Sequence, residues 1–453
     1  MNIFCKTFKI YTIVLVLTIF SSSNCAKDIV ITGGGERVDF KAGERVKIWD
    51  ISDRNPQNWR KVRTLTGHSG TVMSMAFNHD GTKLALGLIT KPYGVKIWDT
   101  SDSNPYNWQE MTTLTSHRDE ISSVAFNHNG TRLASGSSDR TIRIWNTSDS
   151  DPHNWQEITT LTSHRDKISS VAFNHNGTRL ASGSSDRTIR IWDTSNWQEM
   201  TTLTDHRSKV YSVAFSHNGT RLASGAEHGK MKIWNTSDID PRNWKVVRTV
   251  TAIEYIPLLY GEVDPTLCFV SSIAFNHDGT RLAFGSGEPL FGEDRAINIW
   301  DISDIDPRNW QEVKRLTGNK DRIASLAFSH DGAKLASGAG SGQINIWDTS
   351  DIDPRNWQLL KILRHVRGVY SVVFKPKTPE QPAREDEITR LEMITGPFAT
   401  RAEELQALQR RSDPEKVKFR GPKKEIIIRK QEDGEAASQS RKIKIPSSLL
   451  FKQ

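Results

Sequence analysis

Two sets of residues in this chain carry the types and spacing of an acyl-transfer centre. His117, Ser135 and Asp139 form one set, and His164, Ser182 and Asp186 form the other. A serine hydroxyl can attack a carbonyl when an imidazole takes its proton and a carboxylate fixes the imidazole tautomer. Two features argue against that chemistry. The sets lie about 47 residues apart in nearly the same surrounding sequence, and an active site has no reason to recur in adjacent copies of a unit. A hydrolase also needs an exposed nucleophile with oxyanion donors, and the chain contains no Gly-x-Ser-x-Gly elbow.

The elements that must position these residues are repeated units. An apolar-x-apolar-Trp-Asp/Asn signature ends at Trp49, Trp98, Trp145, Trp192, Trp234, Trp300 and Trp347. A second tryptophan, preceded by Asn, follows each: Trp59, Trp108, Trp155, Trp197, Trp244, Trp310 and Trp357. Within one unit, Ile121–Phe126 alternates apolar and small residues, as a buried strand does. Asn127-His128-Asn129-Gly130-Thr131 reads as a hairpin turn, because Asn-Gly accepts positive φ. Arg132–Gly136 and Thr141–Asn146 read as the second and third strands, with a fourth from Trp155.

Gly/Ser-His, Asp-Gly or Asn-Gly, Ser-Gly-Ser and Trp-Asp recur in that order over about residues 28 to 375, and in this the chain resembles the WD40-repeat proteins. The resemblance implies an all-β fold, a seven-bladed β-propeller that serves as an interaction platform and generally lacks catalysis, cofactors and metals. It also implies that His117, Ser135, Asp139 and Trp145, and likewise His164, Ser182, Asp186 and Trp192, form buried structural tetrads. Other copies depart from the pattern. His206 and Ser224 persist, but His228 stands where Asp is expected. Leu86 and Phe284 replace Ser, and Asn319 replaces His. His68 and Asp294 survive without a full set.

The count of strands predicts how the ring closes. The first copy supplies strands near Asp28–Thr32, Arg45–Asp50 and Trp59–Leu65 but lacks a first strand, whereas Val366–Phe374 is a first strand with no successors. Pairing them would complete a seventh blade and remove exposed sheet edges.

The termini read differently. Lys6, Lys9, the apolar run Tyr11–Phe20 and the small residues Ser21–Ala26 have the form of a secretory signal peptide, too short for a spanning helix. Residues 1–26 are thus expected to direct export to a secreted or periplasmic location, with a retained membrane anchor as the alternative. Residues 27–375 would be the propeller. Residues 376–453 would be a basic extension with short helices at 385–394 and 400–411 and disorder beyond, apart from the apolar run Glu425–Arg429. Removal of the leader would take Cys5 and Cys25 and leave Cys268 alone, which excludes an intramolecular disulfide and a Cys-rich metal site.

Specificity should lie where the copies differ. The loops joining fourth to first and second to third strands share one face, the top. Two irregular segments belong there, Ala252–Leu267 and Ser286–Arg295, with Tyr255, Ile256, Leu258, Leu259, Tyr260, Leu290 and Phe291 as candidate apolar contacts for a partner. Arg118, Arg165, Lys167 and Arg207, with Arg140, Arg187 and Lys209, give the same face a mildly basic rim, offset in part by Asp119, Glu120 and Asp166, that suits an acidic protein or peptide. Nucleic acid is disfavoured, because no basic-aromatic interleaving accompanies the net charge of +8. The repeated Ser-Asp-x-Asp-Pro-x-Asn-Trp loops place Asp238 and Asp240, or Asp351 and Asp353, in a calcium-like spacing, but Asp, Asn and Pro are also what a strand connection needs. The expected function is therefore a non-enzymatic scaffold that binds a protein or peptide on its top face. The alternatives are a propeller-loop hydrolase and a membrane-tethered structural scaffold.

Overall fold

Each sequence copy folds into a four-stranded antiparallel sheet, and seven such sheets are arranged as blades. The structure is a computed structural model. It describes residues 28–34, 46–66, 70–251, 257–258, 261–262, 269–287, 295–365, 368–376, 415–419, 425–430 and 440–444. No α-helix occurs among the described residues, and no helix is long and apolar enough to cross a membrane.

Blade 1 joins the two ends of the repeat region. Its strands are Val369–Phe374, Ile29–Gly34, Val46–Asp50 and Arg60–Leu65, hydrogen-bonded in that order. Ile31 faces Val373 and Thr32 faces Val372 across the seam. Blades 2 to 7 are continuous in sequence and begin at Val72, Ile121, Ile168, Val210, Phe269 and Ile323. Their first strands touch in turn around a full circle, which the closing strand completes between blades 7 and 2.

The core sits between blades rather than within them. Seven apolar clusters each join residues of two neighbouring blades; one holds Ala134, Ile142 and Ile144 of blade 3 with Ile168, Val171, Leu180 and Trp192 of blade 4. This is why a lone blade cannot bury its own faces and the ring must be completed. The blades approach so closely that, in blades 2 to 7, a Cβ at one glycine of each second strand would come within 3.0 Å of the next first strand. A Cβ on Gly136 would stand 2.6 Å from Ile168, and one on Gly338 would stand 2.5 Å from Val369.

A row of serines also stitches the first strands together. Ser123 Oγ accepts the Val171 N–H at 3.0 Å, and Ser74, Ser170 and Ser272 do the same for Val124, Val213 and Leu326. The row crosses the seam: Ser325 accepts from Val372 N–H and Ser371 from Met75 N–H, both at 3.0 Å.

The described part of the C-terminal extension forms a separate unit. There Glu425–Lys430 is the central strand of an antiparallel sheet with Glu415–Phe419 and Ser440–Lys444. Its three consecutive isoleucines suit an extended backbone. The leader, the two short helices expected at 385–394 and 400–411, and all three cysteines lie outside the described residues.

Candidate functional site

The two His-Ser-Asp sets sit at the top-face ends of blades 3 and 4. His117 follows the fourth strand of blade 2, Ser135 lies in the second strand of blade 3, and Asp139 occupies the turn into its third. His117 Nε2 is 2.8 Å from Ser135 Oγ, and Nδ1 is 2.9 Å from Asp139 Oδ2. The Trp145 indole N–H donates to the same Ser135 hydroxyl at 3.1 Å. Asp139 also accepts the backbone N–H groups of Arg118 and Thr141, each at 2.9 Å, and so ties two loops together. His164, Ser182, Asp186 and Trp192 repeat every bond in blade 4, with Ser182 Oγ 2.8 Å from His164 and 2.9 Å from Trp192. Both serines are fully buried, so neither hydroxyl can meet a substrate.

Burial alone would raise the Asp139 carboxyl. Hydrogen bonds from His117, Thr141 and the Arg118 N–H outweigh it and hold the group well below the usual carboxylate range, and Asp186 behaves the same way. These carboxylates are charged, paired and satisfied, which is how a buried network stabilises rather than costs.

Other blades solve the same problem with other residues. In blade 1 the Trp49 indole donates to Thr32 Oγ1 at 3.1 Å. In blade 5 Ser224 Oγ lies 2.7 Å from His206 and accepts from Trp234, with no carboxylate. Burial and the nearby Lys232 pull His206 down to about 4, so it sits there neutral. In blade 7 Asn319 Oδ1 accepts from Ser337 Oγ and Asn345 Nδ2, an amide network in place of the imidazole. Thr32 escapes the sequence pattern because it supplies the serine's hydroxyl from another residue type, and Asn345 because it lies at a third-strand position, level with Arg143 of blade 3, that is not one of the four tetrad positions.

Blades 2, 6 and 7 leave Trp98, Trp300 and Trp347 with buried indole N–H groups that have no partner among the described residues. Leu86 and Phe284 are the reason in blades 2 and 6, since neither can accept. A net contribution of about 1 kcal/mol per bond predicts faster opening. Backbone amides of Val95–Asp99 and Arg295–Asp301 should exchange at least about fivefold faster than those of Ile142–Asn146 and Ile189–Asp193. Equal protection by hydrogen-exchange mass spectrometry would refute this.

The basic rim is exposed on the same face. Arg118, Arg140, Arg165, Lys167, Arg187 and Arg207 are all exposed, and none has an ion-pair partner among the described residues. Lys209 differs, being paired with Glu227 at 3.2 Å. Arg140 and Arg187 hold left-handed backbone, at φ 72° and 74°, a conformation that costs a non-glycine residue roughly 1–2 kcal/mol. Of the apolar candidates, Leu258 pairs with Gly261 in a small hairpin inside the insert. Tyr255, Ile256, Leu259, Tyr260, Leu290 and Phe291 lie outside the described residues.

On the opposite face, the Asp-Pro loops consume their own carboxylates. Asp238 Oδ1 accepts the Asp240 N–H, Asp240 Oδ1 accepts the Arg242 N–H, and the Trp244 indole donates to Asp238 O. Each loop closes as a short 3-10 turn started by proline.

Comparison with known proteins agrees with this architecture. The WD40 family (WD domain, G-beta repeat) matches residues 59–99, 108–146, 155–193, 197–235, 262–301 and 310–348. No curated protein matches the chain. Five of the six matched segments begin at the fourth strand of one blade and end with the third strand of the next, the match 262–301 begins in the insert that follows blade 5's fourth strand, and the remaining unit is the one split between the two ends of the repeat region. The chain belongs to the WD40-repeat family, as a seven-bladed propeller closed by its C-terminal strand.

Proposed function

We propose that this protein is an exported, non-enzymatic scaffold that binds an acidic segment of a protein or peptide on the top face of its propeller. WD40 propellers typically act as protein-interaction scaffolds, which supports the general reading. The observation that carries the specific one is the rim of six exposed cations on blades 3 to 5 without ion-pair partners among the described residues. Unpaired surface charge of one sign speeds encounter with a partner of the other sign and rejects like-charged ones. Tyr255, Ile256, Leu258, Leu259, Tyr260, Leu290 and Phe291 would supply apolar contacts at the edge of that rim. The segments that carry them connect the fourth strand of blade 5 to blade 6 and the second to the third strand of blade 6.

Replacing Arg118, Arg165, Lys167 and Arg207 together by Glu should weaken binding of a labelled oligoglutamate peptide by at least about tenfold and remove its salt dependence. Unchanged affinity would contradict the assigned face. Export is checked separately, by sequencing the mature N-terminus from the extracellular or periplasmic fraction. A start near Ala26 or Lys27 agrees with the proposal, and a retained Met1 does not.

A further inference from the structure

The turn between first and second strands carries a histidine in every continuous blade: His79, His128, His175, His217, His277 and His330. These turns lie on the face opposite the tetrads and meet around the central channel. Ring centroids stand 4.0, 3.9, 3.7, 4.3 and 5.2 Å apart in sequence order, and His330 returns to His79 at 6.3 Å. The six imidazoles therefore close into a circle at the channel mouth. Blade 1 contributes no member, because its first and second strands come from opposite chain ends and have no turn between them.

Behind the ring lies a cavity of about 350 Å³, lined by five of these histidines together with Asn174, Ser216 and several phenylalanines. Asn174 and Ser216 are already engaged, accepting the Arg179 and Arg221 N–H groups. None of the six imidazoles hydrogen-bonds to another group of the chain among the described residues. The lining thus presents a circle of uncommitted ring nitrogens.

We propose that this histidine ring is a proton-linked binding site for compact multivalent oxyanions of the phosphate and pyrophosphate class. Imidazoles packed this closely repel one another once charged, and a multivalent anion on the axis would neutralise several at once. A cation is the poorer fit, since no group of three His, Cys or acidic side chains is set to hold a metal ion among the described residues.

Burial first, and neighbouring imidazoles second, pull His128 and His175 below the ordinary histidine value, and the same causes bring His217 down to about 4. His330 is lowered likewise, opposed by Asp331. Other charges on the surrounding turns are tied elsewhere. Asp80 and Asp278 cap their own turns through Thr82 and Thr280. Lys334 pairs with Asp28 at 3.1 Å, and Lys375 Nζ is held by Thr100 O at 2.6 Å. At the starts of the second strands, Lys83, Arg179 and Arg281 pair with Asp99, Asp193 and Asp301, while Arg132 and Arg221 bond to Asn146 and to Gly279 O.

Histidines whose folded value is depressed cost stability as pH falls from their ordinary value through the folded one. An anion that binds the charged ring reverses that loss. Titration of the full chain with inorganic pyrophosphate should show binding at least about tenfold tighter near pH 5 than near pH 7.5, with a rise in melting temperature only in acid. His175→Gln with His217→Gln should cut the acid affinity at least about tenfold and flatten its pH dependence, while keeping the neutral melting temperature. The top-face Glu variant should leave it unchanged. Equal affinity at both pH values, or wild-type acid affinity in the folded double variant, would overturn the proposal.

Discussion

A chain ending at residue 368 should lose cooperative folding. The deleted Val369–Phe374 strand contributes Val369 and Val372, both essentially fully buried, to the cluster between blades 7 and 1. Full burial of one such side chain is worth about 1.5–3 kcal/mol. The deletion also removes the strand that pairs Val30 to Gly34, and both serine stitches at the seam. Together these losses rival the roughly 5–15 kcal/mol that holds a typical domain folded. They also expose Ile29–Gly34 as an apolar strand edge, a template for aggregation. The expected result is soluble aggregate and a broad thermal transition, against a single sharp one for the intact protein. Gly338→Val keeps the strand but forces a side chain into Val369, and it should give a milder version of the same defect. A truncated chain that melts sharply would contradict the closure.

Asp186→Ala should be the most damaging single substitution among the tetrads. It strips His164 Nδ1, Arg165 N–H and Thr188 N–H of their common acceptor within a buried network. Breaking such an arrangement from one side costs about 3 kcal/mol. The effect also has a pH signature. Because the folded carboxyl is depressed, its contribution is full above the ordinary carboxylate value of about 4 and fades only below it. Wild type and variant should therefore differ most near neutrality and converge in strong acid. Blade 5 weakens in the same direction but over a higher window: His206, held neutral without a carboxylate, loses its contribution as pH falls from the ordinary histidine value to about 4. Urea titrations at several pH values measure both. A constant wild-type-to-variant difference down through strong acid would contradict the account.

The architecture was legible because the repeat speaks many times over. Trp-Asp anchors, Asn-Gly turns and the orphan strand at Val369–Phe374 each fix one piece of a blade, and the split copy follows from counting strands. Ser123 and its counterparts were not legible as stitches. In sequence they are simply small residues of a buried strand, and their bond reaches the next blade's backbone, which no local pattern reports. The histidine ring stayed hidden for a related reason. His128 in Asn-His-Asn-Gly looks like part of a hairpin turn, and its neighbours His79 and His175 lie a whole repeat away along the chain. Only closure of the circle brings them within 4.0 Å. The rim arginines were legible as charges, but the left-handed backbone of Arg140 and Arg187 was not, because nothing about arginine favours it.

The seam between the chain ends can be tested directly by a cysteine pair at Thr32 and Val372, which face each other across it. Opposed residues of antiparallel strands bring Cα atoms within about 4.5–5.5 Å, inside the range a disulfide spans. With Cys5, Cys25 and Cys268 changed to Ser, oxidation should give an intramolecular link in nearly every molecule, seen as one faster band on a non-reducing gel and as a cross-linked peptide joining the two ends. No link, or links only between separate molecules, would mean that the ring is not closed by this strand.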